Sequence, residues 1–221
     1  MKNTFIPTGA IALFLLLNQA DVNAKFIDNH KIKTNTKAPV KGITTLAVDP
    51  AASNINWSAK KVGGGHNGTV KLTKGNLILD GNKLQGGNFV MDMTTIADAE
   101  QSARLTNHLK SDDFFGIEKY PASIFTITKA SVVGKVKGNV ANYTITGDLT
   151  IKGTSHSITF PAIVKLTPNG AEATAKVEVN RLKYDIKFRS GLIGTAADKI
   201  IEDTFTLDIK LIAGKSSTAK L

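Results

Sequence analysis

Hydrophobic and polar residues alternate with a period of two along most of the chain after about residue 45. The clearest example is TFTLDIKLI, residues 204–212, in which Phe205, Leu207 and Ile209 fall on one side of an extended backbone. Side chains that alternate in this way give a strand one apolar face and one polar face. The pattern therefore predicts β-strands that cover a common apolar interior.

The same alternation recurs in five further segments, NINWSAK (54–60), NFVMDM (88–93), YTITGDLTI (143–151), SITFPAIV (157–164) and EATAKVEVN (172–180). With the shorter runs between them, these segments predict about eight or nine strands. Turn-forming residues separate the strands at Lys74-Gly75, Asp80-Gly81-Asn82, Gly134, Lys152-Gly153 and Pro168-Asn169-Gly170. Because connections this short join antiparallel neighbours, the sheet is predicted to be mostly an antiparallel meander.

One region, residues 97–115 (ADAEQSARLTNHLKSDDFF), has strong helix formers in place of the alternation. Its LTNHL segment has the i, i+3, i+4 spacing of an amphipathic helix. The capping residues SDD that follow predict a second short helix carrying Phe114 and Phe115. The predicted fold class is therefore all-β, an extended antiparallel β-barrel of about eight strands with a short helical insertion that covers one end.

The N-terminal segment has the layout of a secretory signal peptide. Lys2 precedes an apolar run from Ala10 to Leu17, and Val22-Asn23-Ala24 is a small-residue cleavage site. The run is shorter than the roughly 20 apolar residues that span a bilayer. We expect a signal peptide at residues 1–24, cleavage near Ala24, and a periplasmic or secreted protein.

Three segments are expected after the signal peptide. Residues 25–44 hold five lysines and one aspartate with no clear period, which predicts a mobile leader. Residues 45–213 contain the alternating segments and form the predicted barrel. Residues 214–221, GKSSTAKL, predict a flexible tail.

Composition limits the chemistry that the chain can perform. The absence of cysteine excludes disulfides, a thiol nucleophile and thiolate metal sites. The formal net charge of +10 favours anionic partners, and transient contact with an anionic membrane surface is one expectation. The lysines are spread along outward strand positions with no dense run, so nucleic-acid binding is not predicted.

Glycines in VGGGHNGTVKL, residues 62–72, have the spacing of a dinucleotide-binding loop. Such a loop must open a helix, because the helix N-terminus holds the phosphates. The residues after Gly68 alternate as a strand instead. The stretch therefore predicts a bend between two strands.

Neither a metal or cofactor site nor a catalytic constellation is predicted. The four histidines, His30, His66, His108 and His156, lack the spacings of common metal sites. The chain has no GxSxG sequence for serine hydrolysis. Convergence of His66 and His108 in the fold stays open, but an enzyme is not the favoured interpretation.

Arg181 is the one anomaly in the apolar pattern. The inward positions of residues 172–180 lead, by alternation, to this arginine. A buried guanidinium is costly unless it is paired or hydrated, so it should lie near the cavity mouth or beside an acid. One alternative places it inward as a contact for a polar or anionic head group. In the other, the strand ends at Asn180 and Arg181 turns outward.

Three blocks of the chain, read together, resemble the YceI-like family. They are HLKSDDFFGIEKYPASIF (108–125), GDLTIKGTSHSITFPA (147–162) and NRLKYDIKF (180–188), and the resemblance extends from about Ala47 to Ala213. It implies a lipocalin-like barrel that binds a polyisoprenoid or related long-chain amphiphile, in a periplasmic or secreted protein that is not an enzyme. By position, the resemblance carries family residues onto His108, Leu109, Phe114, Phe115, Tyr120, Pro121, Gly147, Leu149, Thr150 and Arg181.

The favoured function is a carrier or reservoir for an isoprenoid-type lipid held in the barrel. The expected ligand-binding residues are Trp57, His66, Phe89, Met91, His108, Leu109, Phe114, Phe115, Phe125, Ile127, Leu149, Ile151, Phe160, Val179, Arg181, Phe205 and Leu207. The aliphatic and aromatic members line the interior, and the two histidines and the arginine are polar contacts. The alternative is a non-enzymatic binding or scaffolding module with a filled core and a basic outer surface. A second copy of the chain, giving a homodimer, is a further candidate partner.

Overall fold

Nine β-strands and one α-helix make up the part of the chain described by the computed structural model, residues 42–138 and 140–215. The strands are β1 (Ile43–Val48), β2 (Asn54–Lys61), β3 (Gly64–Asp80), β4 (Lys83–Asp98), β5 (Ala122–Lys137), β6 (Val140–Ile151), β7 (Thr154–Thr167), β8 (Gly170–Asn180) and β9 (Ile201–Lys215). The predicted signal peptide, most of the predicted leader and residues 216–221 lie outside the described residues.

Strands β2 to β9 close into an antiparallel barrel of eight strands. Each strand from β2 to β8 pairs with the next one along the chain, and β9 pairs with β2 to complete the ring. β1 is a ninth strand that pairs with the last part of β3 and, at its other end, with β9. The predicted all-β, lipocalin-like antiparallel barrel is confirmed.

The predicted inward positions are the buried ones. On β6, Tyr143 and Ile145 are 2% exposed and Leu149 is 3% exposed. Gly147 occupies the inward position between them, and a Cβ there would lie 2.5 Å from the Phe125 ring on β5. The missing side chain on β6 thus provides the space that the aromatic ring fills.

Two of the predicted turns are wrong, because they lie inside long strands. Lys74-Gly75 is within β3, where the pairing with β4 shifts register between Leu72 and Lys74. Gly134, with φ +71°, is within β5 at another irregularity of the pairing. A barrel wall needs bulges to curve, and glycine serves there as it serves in a turn.

The other predicted connections are turns between antiparallel strands. The sequences Asp80-Gly81-Asn82, Lys152-Gly153 and Pro168-Asn169-Gly170 join β3 to β4, β6 to β7 and β7 to β8. The glycine-rich stretch is the β2–β3 hairpin, with Gly63 at φ +78° in its turn. A strand follows these glycines, so the predicted bend between strands is confirmed.

The helical insertion is shorter than predicted. Its single helix, α1 (Ala103–Lys110), begins after Ser102, whose side chain accepts a hydrogen bond from the Leu105 N–H. The predicted second helix is wrong: residues 111–120 form hydrogen-bonded turns, and Gly116 is left-handed with φ +54°. The residues preceding α1, up to Asp98, belong to β4.

The described strands extend slightly past both predicted limits of the barrel. β1 starts at Ile43, inside the segment predicted as a leader, and β9 ends at Lys215, inside the predicted tail. β1 was absent from the predicted strands, although Leu46 and Val48 alternate with exposed residues and are 2% and 5% exposed.

Candidate ligand-binding cavity

The barrel encloses a cavity lined by side chains from all eight strands of the ring. The cavity has a volume of about 180 Å³. A single water needs about 10–15 Å³ on this scale, so the cavity is about 12 to 18 times larger than a one-water void. The interior is therefore not a filled core.

Most of the sequence-predicted site residues border this cavity. Those that do are Trp57, Phe89, Met91, Leu109, Phe114, Phe115, Phe125, Ile127, Leu149, Ile151, Phe160, Arg181, Phe205 and Leu207. His66, His108 and Val179 do not border it. The alternation along each strand thus identified the lining, whereas two of the three predicted polar contacts lie elsewhere.

Several inward apolar side chains are only half-buried, although they lie inside the barrel. Phe125, Phe160, Phe205 and Leu207 belong to this group. The Phe125 ring lies 5.5 Å from the Phe160 ring and 6.3 Å from the Phe89 ring, measured between ring centroids. The cavity therefore has an aromatic wall that retains apolar surface for a ligand to cover.

The helical insertion closes one end of the cavity. Leu109 of α1 and Phe114 and Phe115 of the following turns contribute to the lining. The ring of Phe188, from the connection between β8 and β9, packs on Phe114 at 5.5 Å and on His108 at 4.6 Å. Two separate segments of the chain therefore form this end of the barrel.

His108 belongs to the outer side of that end. Its Nε2 atom lies 2.9 Å from Asp113 Oδ2, and both side chains are substantially exposed. Asp113 therefore pairs with the histidine, where the sequence predicted a helix-capping role. His66 stands near the start of β3 opposite Ala59 of β2. Neither histidine borders the cavity, although Ala59 does, so their role as ligand contacts stays a prediction.

Arg181 combines features of both sequence alternatives. β8 ends at Asn180, whose side chain caps a 3₁₀ helix at Arg181–Tyr184 by accepting a hydrogen bond from the Leu182 N–H. The arginine does not turn outward, however, because it is 4% exposed and borders the cavity.

The guanidinium of Arg181 is bonded entirely to protein atoms. It donates to the main-chain carbonyls of four residues, Ile186, Phe188, Ile201 and Glu202, at 2.7 to 3.0 Å. A fifth hydrogen bond, of 3.3 Å, runs to Asp203 Oδ1. Since a guanidinium has five N–H groups, this set leaves no donor for a lipid head group.

The environment of Arg181 acts on its pKa in two directions. Burial lowers the pKa of the guanidinium, and the carboxylate of Asp203 raises it in part. The predicted acid is thus present beside the buried arginine. The arginine ties the connection that follows β8 to the first residues of β9, which is a structural role that the sequence did not indicate.

The β8–β9 connection also buries a tyrosine that the sequence did not single out as a site residue. Tyr184 is 1% exposed, and its hydroxyl has no hydrogen-bond partner among the described residues. Burial raises the pKa of Tyr184. Tyr143 is buried to a similar degree, but its hydroxyl accepts a hydrogen bond of 3.0 Å from the Leu84 N–H.

The barrel wall is incomplete on one side. Within the described ranges, the ladder between β7 and β8 runs only from Ala162 opposite Ala175 to the turn that joins them. The earlier half of β7 pairs with β6 alone, and half-buried Phe160 lies on it. His156 Nε2 lies 2.8 Å from the Lys183 carbonyl, so the 3₁₀ helix after β8 covers part of the gap.

The described residues contain neither a metal-binding cluster nor a helix able to span a membrane. In these ranges, no group of three or more histidine, aspartate or glutamate side chains is placed to hold a metal ion. Within the same ranges, α1 and the short 3₁₀ helices fall below the length and hydrophobicity needed to cross a bilayer.

Curated relatives match about half of the chain. A UPF0312 protein of Pseudomonas putida (strain W619) is 29% identical over 109 residues, which are 49% of this chain and 54% of that protein. A UPF0312 protein of Staphylococcus epidermidis is 36% identical over 93 residues, which are 39% of this chain and 48% of that protein. The chain therefore spans about half the length of the curated relatives it matches.

Two solved structures share the architecture. The crystal structure of BcnA from Burkholderia cenocepacia has a TM-score of 0.59 at 21% identity, over 74% of this chain and 98% of that one. A polyisoprenoid binding domain from Saccharophagus degradans, implicated in plant cell wall breakdown, has a TM-score of 0.56 at 16% identity, over 77% and 98%. At these identities the likeness concerns the fold.

The family model gives the broadest match. It is described as a YceI-like domain and matches residues 46–213, from β1 to β9. This range contains the closed barrel, the helical insertion and every residue that borders the cavity. The chain therefore belongs to the YceI-like domain family.

Proposed function

We propose that this protein binds a long-chain isoprenoid-type lipid inside the barrel and serves as an exported carrier or reservoir for it. The observation that carries the proposal is the cavity, which is enclosed by strands and lined almost wholly by aliphatic and aromatic side chains. Apolar, concave and largely pre-formed sites of this kind suit apolar ligands. The S. degradans relative, described as a polyisoprenoid binding domain, supports the same ligand class.

The tail of the lipid supplies most of the affinity in this proposal. Burial of each methylene contributes about 0.8 kcal/mol, whereas a net hydrogen bond contributes about 1 kcal/mol. A tail of many carbons therefore outweighs any single polar contact. The engagement of all five N–H groups of Arg181 with protein atoms agrees with recognition through the tail.

Export is part of the proposal and rests on the N-terminal sequence. The charged start, the apolar run and the cleavage site near Ala24 support translocation to a periplasm or to the outside of the cell. A soluble carrier in such a compartment would shield a lipid tail from water between membranes.

The alternative of a filled-core scaffolding module has less support. That interpretation requires a closely packed interior, and the cavity of this barrel is too large for one. An enzymatic role through His66 and His108 also lacks support, because neither side chain borders the cavity. We therefore propose a non-enzymatic lipid-binding protein.

The variant Leu149→Trp tests the cavity directly. Leu149 is 3% exposed and borders the cavity, so an indole at this position occupies space that the lipid needs. Ile163→Trp is the matched control, because Ile163 lies on β7 with 48% exposure and is absent from the lining. Uptake of a long-chain polyprenol from detergent, measured by native mass spectrometry, should be lost in the first variant and retained in the second.

Folding is checked by circular dichroism and urea unfolding, and the destabilisation of Leu149→Trp should stay below about 3 kcal/mol. If Leu149→Trp does not fold, Ala175→Leu provides a smaller filling of the cavity from β8. A folded filling variant that still takes up one polyprenol per chain with unchanged affinity would contradict the proposed site.

A further inference from the structure

Three apolar side chains stand exposed at the end of the barrel that carries the β2–β3 hairpin. They are Leu192, 79% exposed, Ile193, 56% exposed, and Val62, 55% exposed. Leu192 and Ile193 belong to a 3₁₀ turn in the β8–β9 connection, and Val62 is in the hairpin turn. We call this set the apolar tip.

The apolar tip is held in place by hydrogen bonds. The Ser190 side chain is fully buried and accepts a bond from the Leu192 N–H. The Val62 N–H donates to the Ile200 carbonyl at 3.0 Å, and the Ile201 N–H donates to the Arg189 carbonyl at 2.9 Å. The two segments that carry the tip are therefore tied to the same part of the chain.

Basic residues flank both segments of the apolar tip in the sequence. Lys60 and Lys61 precede Val62 on β2, and Arg189 and Lys199 flank the turn that holds Leu192. All four are exposed. The exposed acids that adjoin these residues in the sequence are Asp198 and Glu202, fewer than the four cations. Lys187 is engaged by Asp185 at 2.6 Å.

The tip also adjoins part of the cavity lining. Among the lining residues in the described ranges, Glu202 alone is exposed. Its lining neighbours Ala59 and Ile201 are half-buried, and Ile201 is opposite Lys61 in the β2–β9 ladder. The pairing of β2 with β9 is irregular between Ala59 and Lys61.

We infer that the apolar tip docks this protein on an anionic lipid bilayer. Exposed aliphatic side chains flanked by cations fit the interface of such a membrane, where apolar side chains enter the acyl region and cations meet the head groups. Docking in this orientation brings Glu202, the exposed residue of the described cavity lining, close to the membrane. That last step, lipid exchange, rests on the proposed function, whereas docking does not.

The test compares vesicle binding by the exported protein with vesicle binding by two double variants. Mass spectrometry identifies the N-terminus of the exported protein. Leu192→Ser with Ile193→Ser removes the tip, and Val133→Ser with Ile163→Ser removes two exposed apolar side chains from strands β5 and β7. The probes are vesicles of phosphatidylcholine alone and of phosphatidylcholine with phosphatidylglycerol, in low and high salt. Sedimentation with the vesicles gives the partition coefficient.

Removal of the tip should weaken partition into phosphatidylglycerol vesicles by about tenfold or more, since each aliphatic side chain buried contributes on that scale. The control variant should bind as the parent protein does, and added salt should weaken binding in both. Equal binding by the tip variant and the parent, or an equal loss in both variants, would overturn the inference.

A fluorescent label at position 192 shows whether the apolar tip binds a membrane or a second copy of the chain. Because the chain has no cysteine, Leu192→Cys and the control Val133→Cys can each be labelled at a single site. The label at position 192 should shift to the blue with phosphatidylglycerol vesicles, and that at position 133 should not. A blue shift that depends on protein concentration without vesicles would assign the tip to a second copy and overturn membrane docking.

Failure of docking and failure of the lipid-binding proposal give different results. If docking is correct and lipid binding is wrong, the tip variant loses vesicle binding while neither protein takes up polyprenol. If only docking is wrong, the tip variant takes up polyprenol from detergent and from vesicles at the rates of the parent.

Discussion

Replacement of Arg181 by methionine tests whether the buried arginine holds the barrel end together or contacts a ligand. Methionine keeps an unbranched apolar stem but removes the five hydrogen-bond donors. Four main-chain carbonyls then lose the guanidinium that donates to them in buried or half-buried hydrogen bonds, those of Ile186, Phe188, Ile201 and Glu202. The variant should therefore be strongly destabilised.

The size of the destabilisation follows from the carbonyls that are left without a donor. An unsatisfied buried acceptor costs about 1 kcal/mol or more, so four carbonyls give a loss of about 4 kcal/mol. Asp203 adds little, because its side chain is 29% exposed and stays hydrated. For a domain of this size, such a loss should lower the Tm by about 10 °C or more.

Urea unfolding provides the assay, with the fluorescence of Trp57, the single tryptophan, as the signal. Trp57 is 7% exposed inside the barrel and reports exposure of the interior. Lys183→Met is the matched control, because Lys183 is exposed on the same connection and its loss should change stability by no more than about 0.5 kcal/mol. Limited proteolysis should cut the β8–β9 connection faster in the Arg181 variant.

The reasoning would be refuted by an Arg181→Met variant that loses less than about 1 kcal/mol of stability and shows parental proteolysis. If that variant also lost affinity for a polyprenyl phosphate but not for the matching alcohol, Arg181 would be a head-group contact after all. The two roles thus predict opposite results in stability and in ligand selectivity.

Two further pairs of substitutions test the packing around the cavity. Tyr184→Phe should stabilise the protein by about 1 kcal/mol, because it removes a buried hydroxyl without a partner in the described residues, whereas Tyr143→Phe should destabilise it by a similar amount. Because the pKa of Tyr184 is raised in the folded protein, the unfolded chain loses the hydroxyl proton at a lower pH. Stability should therefore fall as the pH rises above about 10, and it should fall less in Tyr184→Phe. The same pH dependence of stability in both proteins would contradict this. Gly147→Ala should cost about 1–3 kcal/mol, because its Cβ would meet the Phe125 ring, and Gly86→Ala should change stability by less than about 0.5 kcal/mol, since its nearest neighbour is 3.7 Å away. Urea unfolding measures both pairs, and equal losses in the two glycine variants would contradict the packing argument.

The strands and their inward faces were predictable because a period of two is a local property of the sequence. Alternation such as that of Phe205 and Leu207 predicts which face of a strand points to the interior, and it does so without knowledge of the neighbouring strands. The ends of strands depend less on the local sequence. Glycine suits a turn and a bulge equally, so the sequence predicts turns at Gly75 and Gly134, although β3 and β5 continue through them.

The polar residues of the site were harder to predict, since their partners come from distant parts of the chain. The sequence leaves open whether Arg181 turns inward or outward, and places an inward arginine near the cavity mouth or beside an acid. In the structure it is buried beside Asp203. The sequence did not show that the carbonyl of Glu202, 21 residues away, would join the same guanidinium. Likewise, Val179 has the predicted inward parity and is 1% exposed, yet it lies outside the cavity lining. The alternation along a strand predicts which residues are buried. Whether a buried residue lies in the packed core or in the cavity wall depends on the tertiary fold.

Stability and ligand affinity use different parts of this barrel. At the end that Arg181 holds, Tyr184 and Ile186 are each 1% exposed, so folding alone buries them. Along the aromatic wall, Phe125 and Phe160 stay half-buried, and part of the hydrophobic free energy of these rings is not gained on folding. Each further Å² of apolar surface that a ligand covers contributes about 25 cal/mol. Hydrogen bonds between neighbouring strands hold the barrel together, so folding does not require the cavity to be filled. A long apolar tail can therefore gain this free energy when it binds.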